Sequence, residues 1–324
     1  MLFLMNTKQK ILAYMREHQQ IISGEKLANE LQVSRTAIWK AIRELEKNGY
    51  RFDHLANGYR LLPSDMIEPA LISNQYLPAE LIFYQPSTAS TMQDAKKAAI
   101  EQHLTQGLFI ADEQTQGHGR FGRSFFSPSG QIYMSLLLSP NQNFQELPQY
   151  TILSAVAVAS AIDQLVGEQT AIKWVNDIFI REKKVCGILT EAISDFETQR
   201  ISHVIIGIGI NFFIAQEHFP EELRQKVTAL FHEQPTITRN ELIRLIWQNF
   251  FELCIALPDM QYLDYYRQKS FVLNQQVTFS QNGEKITGIA QAITDKGELV
   301  VQAKNQVFSL SSGEISLEKI ETPK

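Results

Sequence analysis

At 324 residues the chain has room for two or three domains, and 44% apolar with 20% charged residues is the composition of an ordinary soluble chain with ample core, which excludes a disordered protein. A net charge of −5 by itself argues against a nucleic-acid binder, yet the charge is unevenly placed: residues 1–62 carry ten Lys/Arg against six Asp/Glu, and the remainder carries 20 against 29. A basic head on an acidic body points to separate partners for the two parts.

The opening "MLFLMNTKQK" has no basic flank and too short an apolar stretch for a signal peptide, and the longest weakly polar run, Thr151 to Ile162, is shorter than a bilayer-spanning helix. The expectation is a cytoplasmic protein with no membrane partner. Three short helical patterns follow. Ile11, Leu12 and Met15 mark the first, Ser23 stands where it would cap a second through Leu27 and Leu31, and Ser34 where it would cap a third. In the third, Ile38, Ala41, Ile42 and Leu45 fall on one side, while Arg35, Thr36, Trp39, Lys40 and Arg43 share the other. The short "QVS" turn before it is that of a helix-turn-helix, whose second helix enters a major groove. Asn48-Gly49 stops the helix, and "YRFDHLANGYRLLP" alternates on either side of Asn57-Gly58 as a hairpin does. The hairpin reads as a wing from which Arg51 and Arg60 would touch phosphates. Residues 1–65 are thus predicted to form a winged helix-turn-helix DNA-binding domain, with Pro63, Ser64 and Asp65 as linker.

Residues 66–269 alternate short strand and helix patterns, often with two strands in succession, which predicts a mixed α+β sheet and not a doubly wound one. Ser90 and Thr91 precede a helical pattern, where their hydroxyls would either cap it or face a ligand. "GLFIAD" (107–112) reads as a strand leading into "QGHGRFGRSFFSPSG", where Gly117, Gly119 and Gly122 have the spacing of a dinucleotide fingerprint. The other marks of that fingerprint are missing. Two Phe, Pro128 and Gly130 cannot open a long helix, and no Asp or Glu occurs from Gln114 to Gln145. What remains is a flexible loop carrying Arg120 and Arg123, suited to closing over a phosphate. "IKWVNDIFIREKKVCGILTEA" predicts a hairpin with Glu182 and Lys183 in its turn and with Trp174, Asn176, Asp177 and Lys184 as its polar or amphipathic members. "HVIIGIGINFF" is a buried strand ending at Asn211. Cys186 and Cys254 stand far apart without a C-x-x-C, so both are expected as core thiols and neither as a zinc ligand or half of a disulfide. Residues 270–324 alternate tightly, with turn signals at Asn282-Gly283 and Asp295-Lys296-Gly297, as a small antiparallel barrel of SH3 type does.

"STM", "GHGRFGR" with "FFSP", "KWVNDIFIREKKVCGIL" and "GIGIN", in this order and spacing behind a winged helix, resemble a biotin-protein ligase of the bifunctional biotin operon repressor type, from about Lys8 to the C-terminus. The resemblance implies ATP-dependent activation of biotin as biotinoyl-5′-AMP with release of pyrophosphate, then transfer of the acyl group to a lysine of a biotin carboxyl carrier protein. It also implies a homodimer that forms on ligand binding and represses biotin genes at an operator DNA, with the adenylate as corepressor. By the same resemblance biotin would be held by Ser90, Thr91, Met92, Gln114, His118, Gly119, Arg120 and Lys184. ATP and the adenylate would be held by Arg120, Arg123, Phe125, Lys173, Asn176, Asp177 and Asn211, with Phe125 on adenine and Asp177 as the carboxylate beside Mg²⁺. Arg120, Lys173 and Lys184 would be the catalytic cations, offsetting the repulsion between a carboxylate and a triphosphate and the charge that develops at phosphorus. No side-chain nucleophile is needed, in keeping with the lack of a Ser-His-Asp or Cys-His set. The C-terminal barrel is implied to help hold ATP or the carrier protein.

The chain departs from the family's usual pattern in places. G-R-G-R-x-G-R is here Gly117-His118-Gly119-Arg120-Phe121-Gly122-Arg123, which puts more of the ligand closure on Arg120. K-W-P-N-D has Val175 in place of proline, and S-T-N has Met92, which offers only its backbone N–H. Two rival readings stand beside the resemblance. A lipoate ligase or octanoyltransferase of the same fold would want an apolar tunnel where Ser90, Thr91 and Gln114 offer polar partners. A ligand-responsive regulator without catalysis would have no use for Lys173, Asp177 and Lys184.

Overall fold

A computed structural model describes residues 6–18, 20–140, 142–143, 147–195, 200–281, 283–304, 306–311, 313 and 315–317. The opening residues 1–5 and the turn residue Asn282 lie outside the described residues. The chain divides into two compact units, Met1–Ile67 and Glu68–Lys324.

In the first unit α1 (Thr7–His18), α2 (Gly24–Glu30) and α3 (Arg35–Lys47) precede the antiparallel hairpin of β1 (Phe52–Leu55) and β2 (Gly58–Leu61). Both predicted caps are present: Ser23 accepts from Lys26 N and Ser34 from Ala37 N. The helical stripes meet in one core, where Ile11, Met15, Leu27, Ile38, Ile42 and Leu45 are all buried. Gly58 has φ 146 and a Cβ there would lie 2.3 Å from the Ile22 carbonyl oxygen, so only glycine lets the wing pair with Ile22 through Tyr59.

The second unit is a mixed sheet with helices on both faces. Its elements are α4 (Pro69–Ile72), β3 (Ile82–Thr88), α5 (Thr91–Glu101), β4 (Gln106–Gln114), β5 (Ile132–Leu138), β6 (Gln142–Asn143), α6 (Leu147–Val166), β7 (Ala171–Lys173), β8 (Asp177–Ile180), β9 (Lys183–Asp195), β10 (Arg200–Ile210), α7 (Arg239–Ala256) and α8 (Gln261–Lys269). The strand order is β3-β4-β5-β10-β9-β8-β7, with β6 beside β10; β3 and β4 are parallel and the other pairs antiparallel. Alternation along each strand sorts the two faces. On one face Phe109, Leu137 and Ile205 pack with Met92, Ala95, Ala98 and Ala99 of α5. On the other, Met134 receives the Trp247 indole N–H of α7, and Thr190 meets Thr151 of α6.

The apolar run at Thr151–Ile162 belongs to a 20-residue helix, longer than the run implies and long and apolar enough by composition alone to cross a membrane. Its fully buried Ala155, Ala157, Ala159 and Ile162 make it a core helix here. The β8–β9 turn also differs from expectation by one residue. Arg181 (φ 47) and Glu182 (φ 67) form it, and Lys183 already pairs with Ile180. Left-handed angles at both residues are those of a tight type I′ hairpin turn, which sets it at Arg181-Glu182. The C-terminal part is a five-stranded antiparallel sheet, β14-β13-β12-β11-β15, built from β11 (Gln276–Gln281), β12 (Glu284–Ile293), β13 (Leu299–Ala303), β14 (Gln306–Leu310) and β15 (Ile315–Leu317).

Candidate active site and nucleic-acid interface

A cavity of about 450 Å³ opens on the α5 face of the sheet, within the range of small-ligand sites. Its floor explains the letters "GIGIN". Gly207 and Gly209 follow Ile205 on that face, while Ile206, Ile208 and Ile210 are buried on the other. A Cβ on Gly207 would lie 2.6 Å from the Met92 sulfur, and one on Gly209 would lie 2.6 Å from a Phe125 ring carbon. Gly187, the cross-strand partner of Gly209, is covered by the Lys184 stem, whose Nζ would be 3.0 Å from a Cβ. Three glycines thus leave room for Met92, Phe125 and Lys184 to lie on the sheet.

One end of the cavity is a neutral polar network. Ser90 and Thr91 stand at the start of α5, but Ser90 makes no side-chain cap there. Thr91 N–H donates to Gln114 Oε1 at 2.9 Å, and the Thr91 hydroxyl lies 3.2 Å from the same oxygen and 2.8 Å from Ser135 Oγ. Ser90, Thr91 and Ser135 are all buried. Buried hydroxyls arranged this way fix the orientation of a ligand with its own donors and acceptors.

The other end is cationic. Arg120, Arg123, Lys173, Lys184 and Lys226 line the cavity, and Asp177 is the only carboxylate among the described lining residues. Lys184 Nζ lies 2.7 Å from Asp177 Oδ1, and Arg120 Nη1 donates to Asn176 Oδ1 at 3.3 Å. Asn176 in turn donates through Nδ2 to the Ile188 carbonyl. Asn211 is buried, donating from Nδ2 to Thr228 O and from its backbone to Val185 O. It closes β10 and at the same time lines the cavity. A concave site with five cations in a chain of net charge −5 concentrates positive potential where an anion enters. Cys186 also lines it; burial pushes its thiol well up, with Lys184 opposing and Asp177 adding to the shift, so it stays a neutral wall group.

The glycine-arginine loop borders both ends. Gly119 N–H bonds to Arg123 O at 2.8 Å, and Arg120–Gly122 form one short 3₁₀ turn in which Phe121 takes φ 58. No long helix opens there, so the dinucleotide spacing has no dinucleotide context. His118, which replaces arginine of the usual pattern, has Nε2 3.8 Å from Glu191 Oε1. The sequence-predicted residues Ser90, Thr91, Met92, Gln114, His118 and Gly119, and the cationic set other than Lys226 together with Phe125, Asn176, Asp177 and Asn211, all line this cavity.

Sequence reading missed several contributors. Ser135 shows a signal in retrospect, as a lone hydroxyl inside the buried run "IYMSLLL". Lys226 and the neighbouring Phe219 and Leu223 come from an irregular segment with no pattern to read, tied to the sheet by Lys184 N–H to Lys226 O. Trp174 lines the cavity and is also structural: its indole N–H donates to Gly297 O, tying the segment after β7 to the C-terminal sheet.

In the first unit Arg35, Thr36, Trp39, Lys40 and Arg43 are exposed on one face of α3, and Arg51 and Arg60 are exposed on the hairpin. Arg43 lies over the Trp39 ring at 5.7 Å. Arg60 is engaged by Asp53, its cross-strand neighbour, with Nε 3.0 Å from Oδ2. His54 Nε2 meets Glu46 Oε1 at 2.6 Å, holding the hairpin against α3.

The class of protein follows from this fold and site together. The model of the biotin/lipoate A/B protein ligase family matches residues 84–211, an HTH domain model matches 7–60, and the biotin protein ligase C-terminal domain matches 272–318. Bifunctional ligase/repressor BirA of Bacillus subtilis is 40% identical over 230 residues, covering 69% of this chain and 70% of that protein. BirA of Escherichia coli is 28% identical over 310 residues, covering 92% and 94%. The structure of biotin protein ligase from Aquifex aeolicus in complex with biotin and ATP superposes with a TM-score of 0.61 at 26% identity, covering 74% of this chain and 98% of that one. The chain belongs to the bifunctional biotin ligase/repressor family.

Proposed function

We propose that the protein activates biotin with ATP as biotinoyl-5′-AMP, transfers the acyl group to a lysine of a biotin carboxyl carrier protein, and represses biotin genes when the adenylate is bound. The observation that carries this is the single cavity in which a neutral hydroxyl-amide end meets a five-cation end. Biotin is an apolar bicycle with one polar ureido edge and a carboxylate tail. Ser90, Thr91 and Gln114 suit the edge, and Met92, Gly119 and His118 lie beside it. Arg120, Lys173 and Lys184 draw the carboxylate and the α-phosphate together and stabilise the charge that grows on phosphorus as its bond to the leaving pyrophosphate breaks. Phe125 on its glycine floor offers a flat apolar face to adenine. Arg123, Asn176 and Asn211 serve the phosphates and ribose. A single carboxylate fits Mg²⁺ held mainly by substrate phosphates: Asp177 would hold the ion, which when bound offsets triphosphate charge. In the second half-reaction the carrier's lysine amine attacks the acyl carbon, the new C–N bond forms, and AMP departs with the oxygen.

For repression, ligand-bound protein pairs as a homodimer and sets two α3 faces on a two-part operator, with Arg35, Thr36, Trp39, Lys40 and Arg43 at the groove and Arg51 and Arg60 at phosphates. Functionally the chain then divides at 1–65, 66–269 and 270–324, and it works in the cytoplasm. The deciding assay is pyrophosphate release by purified protein with ATP and either biotin or lipoate. Release with biotin alone is expected; release with lipoate would favour the lipoate-ligase reading, and release with neither would leave a regulator. The repressor half fails if biotin and ATP together produce no mobility shift of a biotin-gene promoter fragment.

A further inference from the structure

The Gln114 amide has its orientation fixed by the fold. Thr91 N–H is an obligatory donor and lies 2.9 Å from Oε1, so Nε2 must face the opposite way. There it meets Ser127 Oγ at 3.3 Å. Ser127 accepts that bond and gives its own proton to the Phe125 carbonyl at 2.8 Å. Phe125 N–H bonds in turn to Gly117 O, and Gln114 N–H bonds to Ser127 O. These contacts close the neck of the loop that carries Arg120 and Arg123. Gly117 is packed into the same knot: a Cβ on it would lie 2.5 Å from Ser127 Oγ and 2.9 Å from Gln114 Nε2. Ser127 is itself buried and lines no part of the cavity.

We infer that Ser127 is a positioning residue that links occupancy of the ureido end to the conformation of the arginine loop. A ligand group that bonds Gln114 changes the load on its amide, and Ser127 is the side chain through which that amide grips the loop's exit at Phe125. The inference rests on the proposed placement of biotin against Gln114. It makes Ser127 and Gly117 one mechanical unit, which accounts for glycine at the first loop position although that residue has no left-handed φ.

The test is trypsin cleavage after Arg120 and Arg123 in the full-length protein, with and without saturating biotin, in parent and Ser127→Ala. In the parent, biotin slows cleavage. In Ser127→Ala, biotin still binds, within about fivefold of the parent's affinity for the loss of one neutral hydrogen bond, but its protection of the loop falls to less than about a third of the parent's. Equal protection in parent and variant at saturating biotin would overturn the inference. Absence of biotin binding by the parent would instead overturn the placement of biotin on which it rests. Should Ser127→Ala unfold, Ser127→Cys puts a slightly larger group that is a weaker donor and acceptor at the same position, and undiminished protection in that variant would count equally against the role.

Discussion

The glycine floor gives a pair of substitutions that should separate the two ends of the cavity. Gly209→Ala adds a Cβ 2.6 and 2.7 Å from two Phe125 ring carbons, whereas carbon atoms rest at about 3.5–4.0 Å, so the ring must shift by roughly 1 Å. The backbone at Gly209 is not left-handed, and the cavity beside the ring gives it somewhere to go. Overpacking of about 1–3 kcal/mol should therefore appear as displacement of Phe125 and not as loss of the fold. Converted at tenfold per 1.4 kcal/mol, the KM for ATP should rise about 5- to 150-fold, with the biotin KM unchanged within about twofold, the scatter of independent sites. Gly207→Ala strikes Met92 instead, 2.6 Å from its sulfur, and should raise the biotin KM while sparing that of ATP. Initial-rate pyrophosphate release with each substrate varied in turn measures both, with thermal melts to show that each variant is folded. Gly209→Ala with an unaltered ATP KM, or both variants raising both constants alike, would refute the assignment of Phe125 to adenine.

Other outcomes follow from single contacts. Arg120→Gly should leave biotin binding near the parent's but speed adenylate dissociation about 10- to 100-fold, for the loss of charge-assisted bonds of about 1.5–3 kcal/mol; a chase of labelled adenylate measures it. Lys40→Ala should lower the slope of log K against log salt for operator binding by about one, while Arg60→Ala lowers it less because Asp53 already engages that arginine; equal slopes would contradict the pairing. Arg239→Met strips Asp112 of its cationic partner, leaving only the Tyr84 hydroxyl on its other oxygen, and should cost about 3 kcal/mol in urea unfolding. Burial pushes the Cys254 thiol up to about 12, so its protonated form is favoured in the folded protein below the ordinary thiol range and that preference is lost as pH rises through 12. Alkylation at pH 8 should therefore leave Cys254 and buried Cys186 unmodified until guanidinium is added.

The elements whose patterns are local were legible. The caps at Ser23 and Ser34 and the stripe on α3 depend on neighbours in sequence and stand in the structure as read, while the hairpin at Asn57-Gly58 is present with its turn one residue earlier, at Ala56-Asn57, because Gly58 already pairs with Leu55. The glycine-arginine loop was legible as a loop because Pro128 and Gly130 interrupt any helix soon after Gly122. Distance in sequence hid the rest. Nothing near Ser135 announces that it meets Thr91 across 44 residues, and Lys226 reaches the cavity only because an irregular segment pairs beside Lys184. The Thr91 hydroxyl at the start of α5 was ambiguous between capping and binding until Gln114, from β4, proved to be its partner. The one-residue shift of the β8–β9 turn reflects backbone angles that arginine and glutamate adopt there only under the constraint of the hairpin.

The single carboxylate among five cavity cations has a physical logic of its own. Lys184 is held by Asp177 at 2.7 Å, and their side chains are 29% and 24% exposed. A pair this wet is worth about 0–1 kcal/mol, whereas a charge-assisted bond to a carboxylate or phosphate oxygen is worth about 1.5–3. An arriving anion therefore takes Lys184 from Asp177 at small cost, and Gly187 leaves the lysine stem free to swing across the floor. The exchange also frees Asp177 at the moment a triphosphate brings its own cation. On the proposed reading, one ion pair thereby holds the lysine in place between turnovers, and its opening leaves the carboxylate available to Mg²⁺ in the same movement that delivers the ammonium to the acyl phosphate.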